Sequence, residues 1–509
     1  VHLFRRKSLD VVLRDAELGS EGEHLKKSLG PFDLISLGIG AIIGTGIFAV
    51  IGTAAAGGPD HLGAGPAVSL SFILTAVACA FCALCYAEFA ALVPISGSAY
   101  TYSYATIGEL VAWIIGWDLI IEYAVGNVAV AIAWAAYFHQ LLEGLGVHIP
   151  AWLSVDYRSA AQAAGAVAEA GGEISSSLAL PYEAWTSHPT ILGIPLIFNF
   201  LAVVIVAAVT WLLVIGTKES ARANNVMVVI KIVILIFFIG VGALYVKPEN
   251  WSPFMPNGFA GVWTGASLIF FAFIGFDAIS TAAEECRNPG RDMPIGIIGS
   301  LVVCTVIYVA TAFVLTGVQP WHELGVADPL AAVLSYAGVD WAAGIVSLGA
   351  VISMSAVLLV FQLGQPRIFF SMSRDGLLPR YFARVHPKYH TPHVTTIWTG
   401  VVVGVVSAFA NINEIVELTN IGTLFAFVLV CLGVIILRIR DPHRPRTFKT
   451  PLVPLVPLLG AAMCVYLMLG LPWVTWVRFG LWLAAGLVLY FGYGFWKSKL
   501  RTVEESTRK

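Results

Sequence analysis

The first residues that could do chemistry are four glycines packed into nine positions. The run reads Gly38-Ile39-Gly40-Ala41-Ile42-Ile43-Gly44-Thr45-Gly46-Ile47-Phe48. In an apolar segment each glycine lowers helix propensity by about 1 kcal/mol relative to alanine. Two arrangements account for such a run. Gly40 and Gly44 form a GxxxG pair that lets a second helix approach closely. Alternatively the helix unwinds, and its freed backbone groups face a water-filled cavity. The additional Gly44-Thr45-Gly46 favours the unwound form. A second interruption, Phe270-Phe271-Ala272-Phe273-Ile274-Gly275-Phe276-Asp277, sets a glycine and a carboxylate near the middle of another apolar segment. A broken helix offers N–H groups and a positive dipole end on one half, and C=O groups on the other. Those ends suit a zwitterion. The N–H groups of Gly44, Thr45 and Gly46, with the Thr45 hydroxyl, could take a carboxylate. The carbonyls of Phe271, Ala272 and Ile274 could take an ammonium. Such a site would hold the backbone of any α-amino acid and leave its side chain to be sorted elsewhere.

Three further charges lie in apolar surroundings. Lys231 sits within Val228-Val229-Ile230-Lys231-Ile232-Val233-Ile234. An ionisable residue at such a depth points to function: it either carries a coupling proton or supplies a fixed charge in place of a bound sodium ion. The structural alternative is a snorkelling or ion-paired lysine, and its central position disfavours snorkelling. Asp118 and Glu122, four apart, share one helix face. The deeper Glu122 either pairs with Lys231 or lines the solute path, and Asp118 reads as structural. Asp277 reads as a cap on the unwound turn. Cys79-x-x-Cys82-x-x-Cys85 resembles the opening of an iron–sulfur ligand run. It lacks a nearby fourth cysteine, and on a helix the three thiols would spread around the axis. The eleven histidines show no paired ligand spacing, and His139 is expected at a membrane interface. No metal site and no cofactor are expected, and no phosphate-binding GxxxxGK[ST] loop is present.

The elements that must position these residues follow from composition. Of 509 residues, 58% are hydrophobic and only 12% are charged, too few charges to cover a soluble chain of this length. The net charge of −2 excludes a broad basic surface for nucleic acid. The seven cysteines lie in or at the ends of apolar segments, which is no disulfide framework. Residues 1–30 are polar and mixed in charge, without the apolar run of a signal peptide. Spanning a bilayer takes roughly 20 apolar residues, and twelve segments qualify: 33–56, 66–92, 104–142, 191–216, 223–246, 261–284, 295–317, 341–371, 394–410, 414–437, 452–471 and 476–496. They are numbered here as spans 1 to 12.

With both termini cytoplasmic, all but four of the 29 Lys and Arg fall on the cytoplasmic side. The exceptions are Arg158, Lys247 and Arg478 outside, and Lys231 within span 5. That asymmetry is the positive-inside rule. Residues 143–190 are rich in Ala, Gly and Ser and are expected outside, with a short helix near 158–170. Interrupted helices at corresponding positions of two halves mark an inverted-repeat transporter, and spans 1 and 6 are five apart. The expected fold is therefore an all-α polytopic membrane protein of 12 transmembrane helices. It comprises a cytoplasmic segment 1–30, a first repeat 31–246 containing the insertion 143–190, a second repeat 261–440, two peripheral spans in 450–497 and a cytoplasmic tail 498–509.

Longer motifs then carry a resemblance. Span 6 and its loop continue through Asp277-Ala-Ile-Ser-Thr-Ala-Ala-Glu284-Glu285-Cys-Arg-Asn288-Pro289-Gly-Arg291-Asp-Met-Pro294. Span 8 ends Gly364-Gln365-Pro366-Arg367-Ile-Phe-Phe-Ser-Met-Ser-Arg374-Asp375-Gly376-Leu377-Leu378-Pro379. The loop after span 2 reads Pro94-Ile-Ser96-Gly97-Ser-Ala-Tyr100-Thr-Tyr102. With Gly40 to Gly46, these resemble the amino acid–polyamine–organocation (APC) superfamily, nearest its cationic amino acid transporter branch and bacterial relatives. The resemblance spans about residues 28–500 apart from 143–190.

It implies a five-plus-five inverted repeat, alternating access, and proton-linked or exchange transport of L-amino acids across the plasma membrane of a bacterium. It implies that Ile43, Gly44, Thr45 and Gly46 meet the substrate carboxylate. It puts Phe271, Ala272 and Ile274 at the amino group, with the Phe271 ring as a gate, Lys231 as the coupling residue, and Glu122 lining the pocket region. Phe361 departs from the small residue found in relatives that take arginine or lysine. Small or medium neutral amino acids are therefore favoured over cationic ones. Ser353 and Ser355 are weaker indications of a vacated ion site. Beside a proton symporter stand an exchanger of cationic amino acids and a transporter-like amino acid sensor. A membrane enzyme would need clustered catalytic groups, and a channel a continuous polar stripe; the spans show neither.

Overall fold

The computed structural model describes residues 5–6, 29–58, 61–93, 98–169, 174, 176–191, 193–215, 221–389 and 391–501. Pro94 to Gly97 of the loop motif, most of segment 1–30 and tail residues 502–509 lie outside the described residues. Among the described residues, eight helices are long and apolar enough to cross a membrane: Gly65–Leu92, Glu109–Gly144, Asn225–Ala243, Gly258–Ser280, Pro289–Val318, Asp340–Arg374, Ile412–Arg440 and Trp473–Arg501. Pro31–Ile42 and Gly46–Ala56 form a bent pair, at 44°, that counts as a ninth. Three shorter apolar helices, Phe200–Ile215, His393–Phe409 and Leu455–Leu469, fall on the remaining expected spans 4, 9 and 11. The chain is a multi-pass helical membrane protein.

Two expected boundaries need correction, and turn chemistry explains both. Span 3 does not begin at residue 104. A separate helix, Ser98–Thr106, ends first, and the chain turns at Gly108 (φ 140°) before span 3 starts at Glu109. Span 4 does not begin at residue 191. Thr190–Ile191 and Ile194–Pro195 pair as a small antiparallel ribbon that turns at Gly193 (φ 80°). The helix starts at Phe200, where the Asn199 side chain accepts from the Ala202 N–H at 3.1 Å.

The insertion holds helices Tyr157–Glu169 and Ser176–Ser187, the second unforeseen. Ala151, Ala160, Ala184 and Ile197 form a small core of its own. Arg158 ties it to Glu414 at 2.6 Å, and Asn411 donates to the Ser159 hydroxyl at 2.9 Å. Burial beneath this cap raises the Asp156 carboxyl above its ordinary range. His139, expected at a membrane interface, is buried, with Nε2 3.9 Å from Glu143.

The main core is one continuous apolar body. Span 7 packs on span 2 and on the first half of span 1, and span 8 packs on span 3. Side-chain hydrogen bonds fix span 6 against its neighbours. Ser71 and Thr75 of span 2 donate to the carbonyls of Val262 and Ala266 at 2.8 and 3.0 Å. Asn420 of span 10 donates to those of Ser267 and Leu268 at 2.8 and 2.9 Å. Satisfying backbone carbonyls in this way matters most where no water can do it. Cys82 Sγ lies 3.3 Å from Cys464 Sγ and 3.8 Å from Cys431 Sγ, joining spans 2, 10 and 11. Among the described residues no three His, Cys, Asp or Glu are grouped to hold a metal ion.

Candidate functional site

Span 1 is severed. The Ile43 N–H bonds back to the Ile39 carbonyl at 2.9 Å, and there the first helix ends. The chain restarts as a helix at Thr45 and runs through a π-turn, Gly46–Val50, a form often found at functional sites. The first N–H groups of a helix have no intrahelical acceptor, which here leaves those of Thr45 and Gly46 as donors. In a continuous helix the Gly40 carbonyl would go to the Gly44 N–H. Here it accepts instead from the ammonium of Lys231. The Tyr308 hydroxyl lies 3.0 Å from both the Ile42 carbonyl and the Ala272 carbonyl of span 6 and donates to one or the other. The Thr45 hydroxyl is buried and has no hydrogen-bond partner among the described residues.

Span 6 breaks differently. Its helix tightens into a 3-10 turn, Phe270–Phe273; Ile274 is extended (ψ 133°), and Gly275 takes φ 117°. A further 3-10 segment, Asp277–Glu285, follows. The two breaks touch. A Cβ on Gly46 would lie 2.1 Å from the Ala272 Cα, and one on Gly275 would lie 2.9 Å from the Ala41 carbonyl oxygen. Only glycine permits both approaches.

Of the residues singled out from the sequence, Ile43, Gly44, Thr45 and Gly46 therefore meet Phe271, Ala272 and Ile274 at one crossing, and all of them are buried. A Cβ on Gly44 would be 3.0 Å from Val357 of span 8. One turn along that helix lies Phe361, edge-on to Tyr123 at 5.7 Å and close to Gly126, both of span 3. Glu122 occupies a second π-turn, Ile121–Val125. Its carboxyl lies beside that of Asp277, the group expected to cap the unwound turn. Ser353 is buried without a partner among the described residues; Ser355 donates to Val351 and accepts from Trp134.

Tyr308, Val357 and Tyr123 belong to this constellation and were not foreseen. A tyrosine hydroxyl in an apolar helix must find an acceptor, and that signal could have drawn attention to Tyr308. The broad surface grooves lie elsewhere. An apolar groove of about 470 Å³ runs between spans 4 and 9, and a polar one of about 510 Å³ gathers His139, Glu143, His148 and Glu183. Neither includes a residue of the breaks.

A helix-break pair of this kind, crossing in the interior of a multi-pass bundle, is accompanied by a family match. Residues 29–491 match the amino acid permease family. The chain belongs to that family. It is an APC superfamily protein with both bacterial and cationic-transporter-like relatives. The branched-chain amino acid permease BcaP of Bacillus subtilis is 48% identical over 98% of this chain and 99% of its own length. The methylthioribose transporter of the same organism is 45% identical, over 96% and 97%. A vacuolar cationic amino acid transporter 4 of Arabidopsis thaliana is 33% identical over 86% of this chain and 68% of its own length. The contact between Gly46 and Ala272 brings the two breaks together.

Proposed function

We propose that this permease carries neutral L-amino acids of small or medium size across the plasma membrane by alternating access, coupled to protons, with its termini cytoplasmic and its first ten spans forming two inverted repeats. The observation that carries this reading is the backbone accounting at span 1. Lys231 and Tyr308 occupy the carbonyls of Gly40 and Ile42, which leaves donors at Gly44, Thr45 and Gly46 for a carboxylate. Carbonyls of the span 6 break face the same crossing and suit an ammonium. In this reading Lys231 is the coupling residue. A charged ammonium donates to the Gly40 carbonyl more strongly than a neutral amine, so proton loss would loosen the tie between spans 5 and 1. Glu122, beside Asp277, lines the path below.

Phe361 supports a neutral substrate. Buried against Tyr123, it fills space that a long cationic side chain would need. A non-amino-acid solute is the second reading, motivated by the 45% identity to a transporter named for methylthioribose. Uptake of labelled leucine and alanine into proteoliposomes, with and without an inward proton gradient, tests the proposal. The competitors are the twenty amino acids and methylthioribose. Gradient-driven accumulation inhibited by neutral amino acids is expected. Uptake only into amino-acid-loaded vesicles would make the protein an exchanger, and inhibition by methylthioribose alone would overturn the substrate class.

A further inference from the structure

We propose that the groove between spans 4 and 9 binds an anionic phospholipid, with an acyl chain along the groove and the phosphate at a basic turn that closes one end. Two helices build the groove, Phe200–Ile215 and His393–Phe409. Gly400 lets them approach: a Cβ there would lie 2.1 Å from the Thr210 hydroxyl. That hydroxyl is satisfied within the protein, since it donates to the Val206 carbonyl and accepts from Gln362 of span 8. The walls are otherwise apolar, chiefly Val206, Trp211 and Val214 on one side and Ile397, Val401 and Val405 on the other. Trp211 is 68% exposed. From Val203 to Val214 the lined stretch is about 16 Å long, at 1.5 Å per helical residue. That is roughly half of a bilayer's ~30 Å hydrocarbon core, the depth of one leaflet and too short to seat a whole membrane-spanning helix.

The Val214 end of the groove is basic. The Thr391 hydroxyl donates to the Val214 carbonyl at 2.9 Å, so the loop before span 9 rests on the end of span 4. That loop is a closed turn. The His386 N–H bonds to the Thr391 carbonyl at 2.8 Å, and His386 Nδ1 accepts from the Lys388 N–H at 3.1 Å. Lys388 is exposed, its ammonium 5.3 Å from the centre of the Tyr389 ring. Arg380 and Arg384 precede it, both exposed, and the Arg384 guanidinium lies 5.1 Å from the centre of the Tyr381 ring. None of these three cations pairs with a carboxylate among the described residues. Tyrosines and basic side chains together suit the headgroup layer. Each cation near that layer favours an anionic lipid by about fivefold. In the proposed orientation this end faces the cytoplasmic leaflet, the one that carries anionic lipid. The same charges disfavour a second copy of the chain. Two copies facing each other here in one membrane orientation would set their basic turns side by side, and like charges repel.

The test uses Trp211 as its reporter. Brominated phosphatidylglycerol and brominated phosphatidylcholine are the probes, each at the same mole fractions in nanodiscs of unlabelled phosphatidylcholine that hold the full chain. Bromine quenches indole fluorescence at contact, and the difference between the native protein and Trp211→Phe isolates the Trp211 signal. Phosphatidylglycerol should quench that signal with an apparent affinity at least about fivefold above that of phosphatidylcholine. Lys388→Gln should lower this ratio by about fivefold. Lys388→Arg should keep it, and Lys247→Gln, beyond the far end of span 5, should leave it unmoved. High salt should lower it in the native protein. Equal quenching by the two lipids, or a ratio indifferent to Lys388→Gln, overturns the proposal and leaves ordinary solvating lipid at this face. Quenching by neither lipid overturns it equally and puts a protein chain over the groove.

Discussion

In span 1 the chain leaves one helix at Ile42 and starts another at Thr45, and the carbonyls it frees are taken by side chains from spans 5 and 7. In span 6 the chain passes through 3-10 turns, an extended Ile274 and a glycine at φ 117°. The first break depends on donors that other helices lend, one of them a lysine. The second faces the same Tyr308 hydroxyl at Ala272, and in addition is written into the backbone conformation of Gly275, which few L-residues adopt. In the proposed reading, with Lys231 as the coupling residue, the first break responds to protonation while the second holds still. This division suits a site that must bind firmly and yet be switched.

The comparison breaks most visibly at its point of contact. Gly46→Ala drives a methyl into the Ala272 backbone, an overpacking of about 3 kcal/mol or more. Initial uptake should fall by on the order of a hundredfold. Near-native uptake would mean the breaks do not need to touch.

Lys231→Gln and Gly275→Ala should then separate the two breaks. The glutamine variant should lose pH-driven accumulation and keep part of its substrate binding, because only the responsive break is affected. The alanine variant should lose binding and transport together. Unchanged pH-driven accumulation in Lys231→Gln would refute the assignment of Lys231 as the coupling residue.

Phe361→Ser acts beside the crossing rather than in it. It should open the space next to Tyr123 and Gly126 and let arginine or lysine compete, with only a modest loss of leucine affinity. A competition assay showing no new inhibition by either would count against Phe361 as the barrier to cationic substrates.

The smallest effect concerns what covers the second half of span 1. A Cβ on Gly52 would lie 2.2 Å from the Leu324 carbonyl oxygen, so the loop before helix Pro329–Tyr336 rests on it. Asp328 in that loop is pushed up to about 6 by burial. A carboxyl whose folded pKa is raised binds more protons folded than unfolded. Its contribution to stability is present at low pH and is lost as pH rises through that value. Asp328→Asn should therefore narrow the fall in melting temperature between pH 4.5 and pH 7.5, by thermal unfolding in detergent. A fall as large as in the native protein would detach Asp328 from the stability of this cover.

Much of this was legible in the chain. The apolar runs locate the spans because lipid demands a minimum length whatever the packing. Gly38 to Gly46 and Gly275 mark the breaks because a glycine weakens a helix wherever it stands. The starts of spans 3 and 4 were misread because hydropathy alone does not register a turn at Gly108 or Gly193. The closeness of Asp277 to Glu122 was not legible, because nothing in its neighbourhood announces a residue more than 150 positions earlier.

The sequence by itself determined that the protein lives in lipid, that spans 1 and 6 are interrupted, and that Lys231 lies within an apolar run. These follow from local properties: run length, glycine content and the cost of a charge in hydrocarbon. Only the tertiary structure decided which donor meets which carbonyl. Lys231 and Gly40 are 191 residues apart, and Tyr308 and Ile42 are 266 apart. A buried hydroxyl or ammonium must find an acceptor, but its address is set by how the helices pack, and packing is a property of the whole chain.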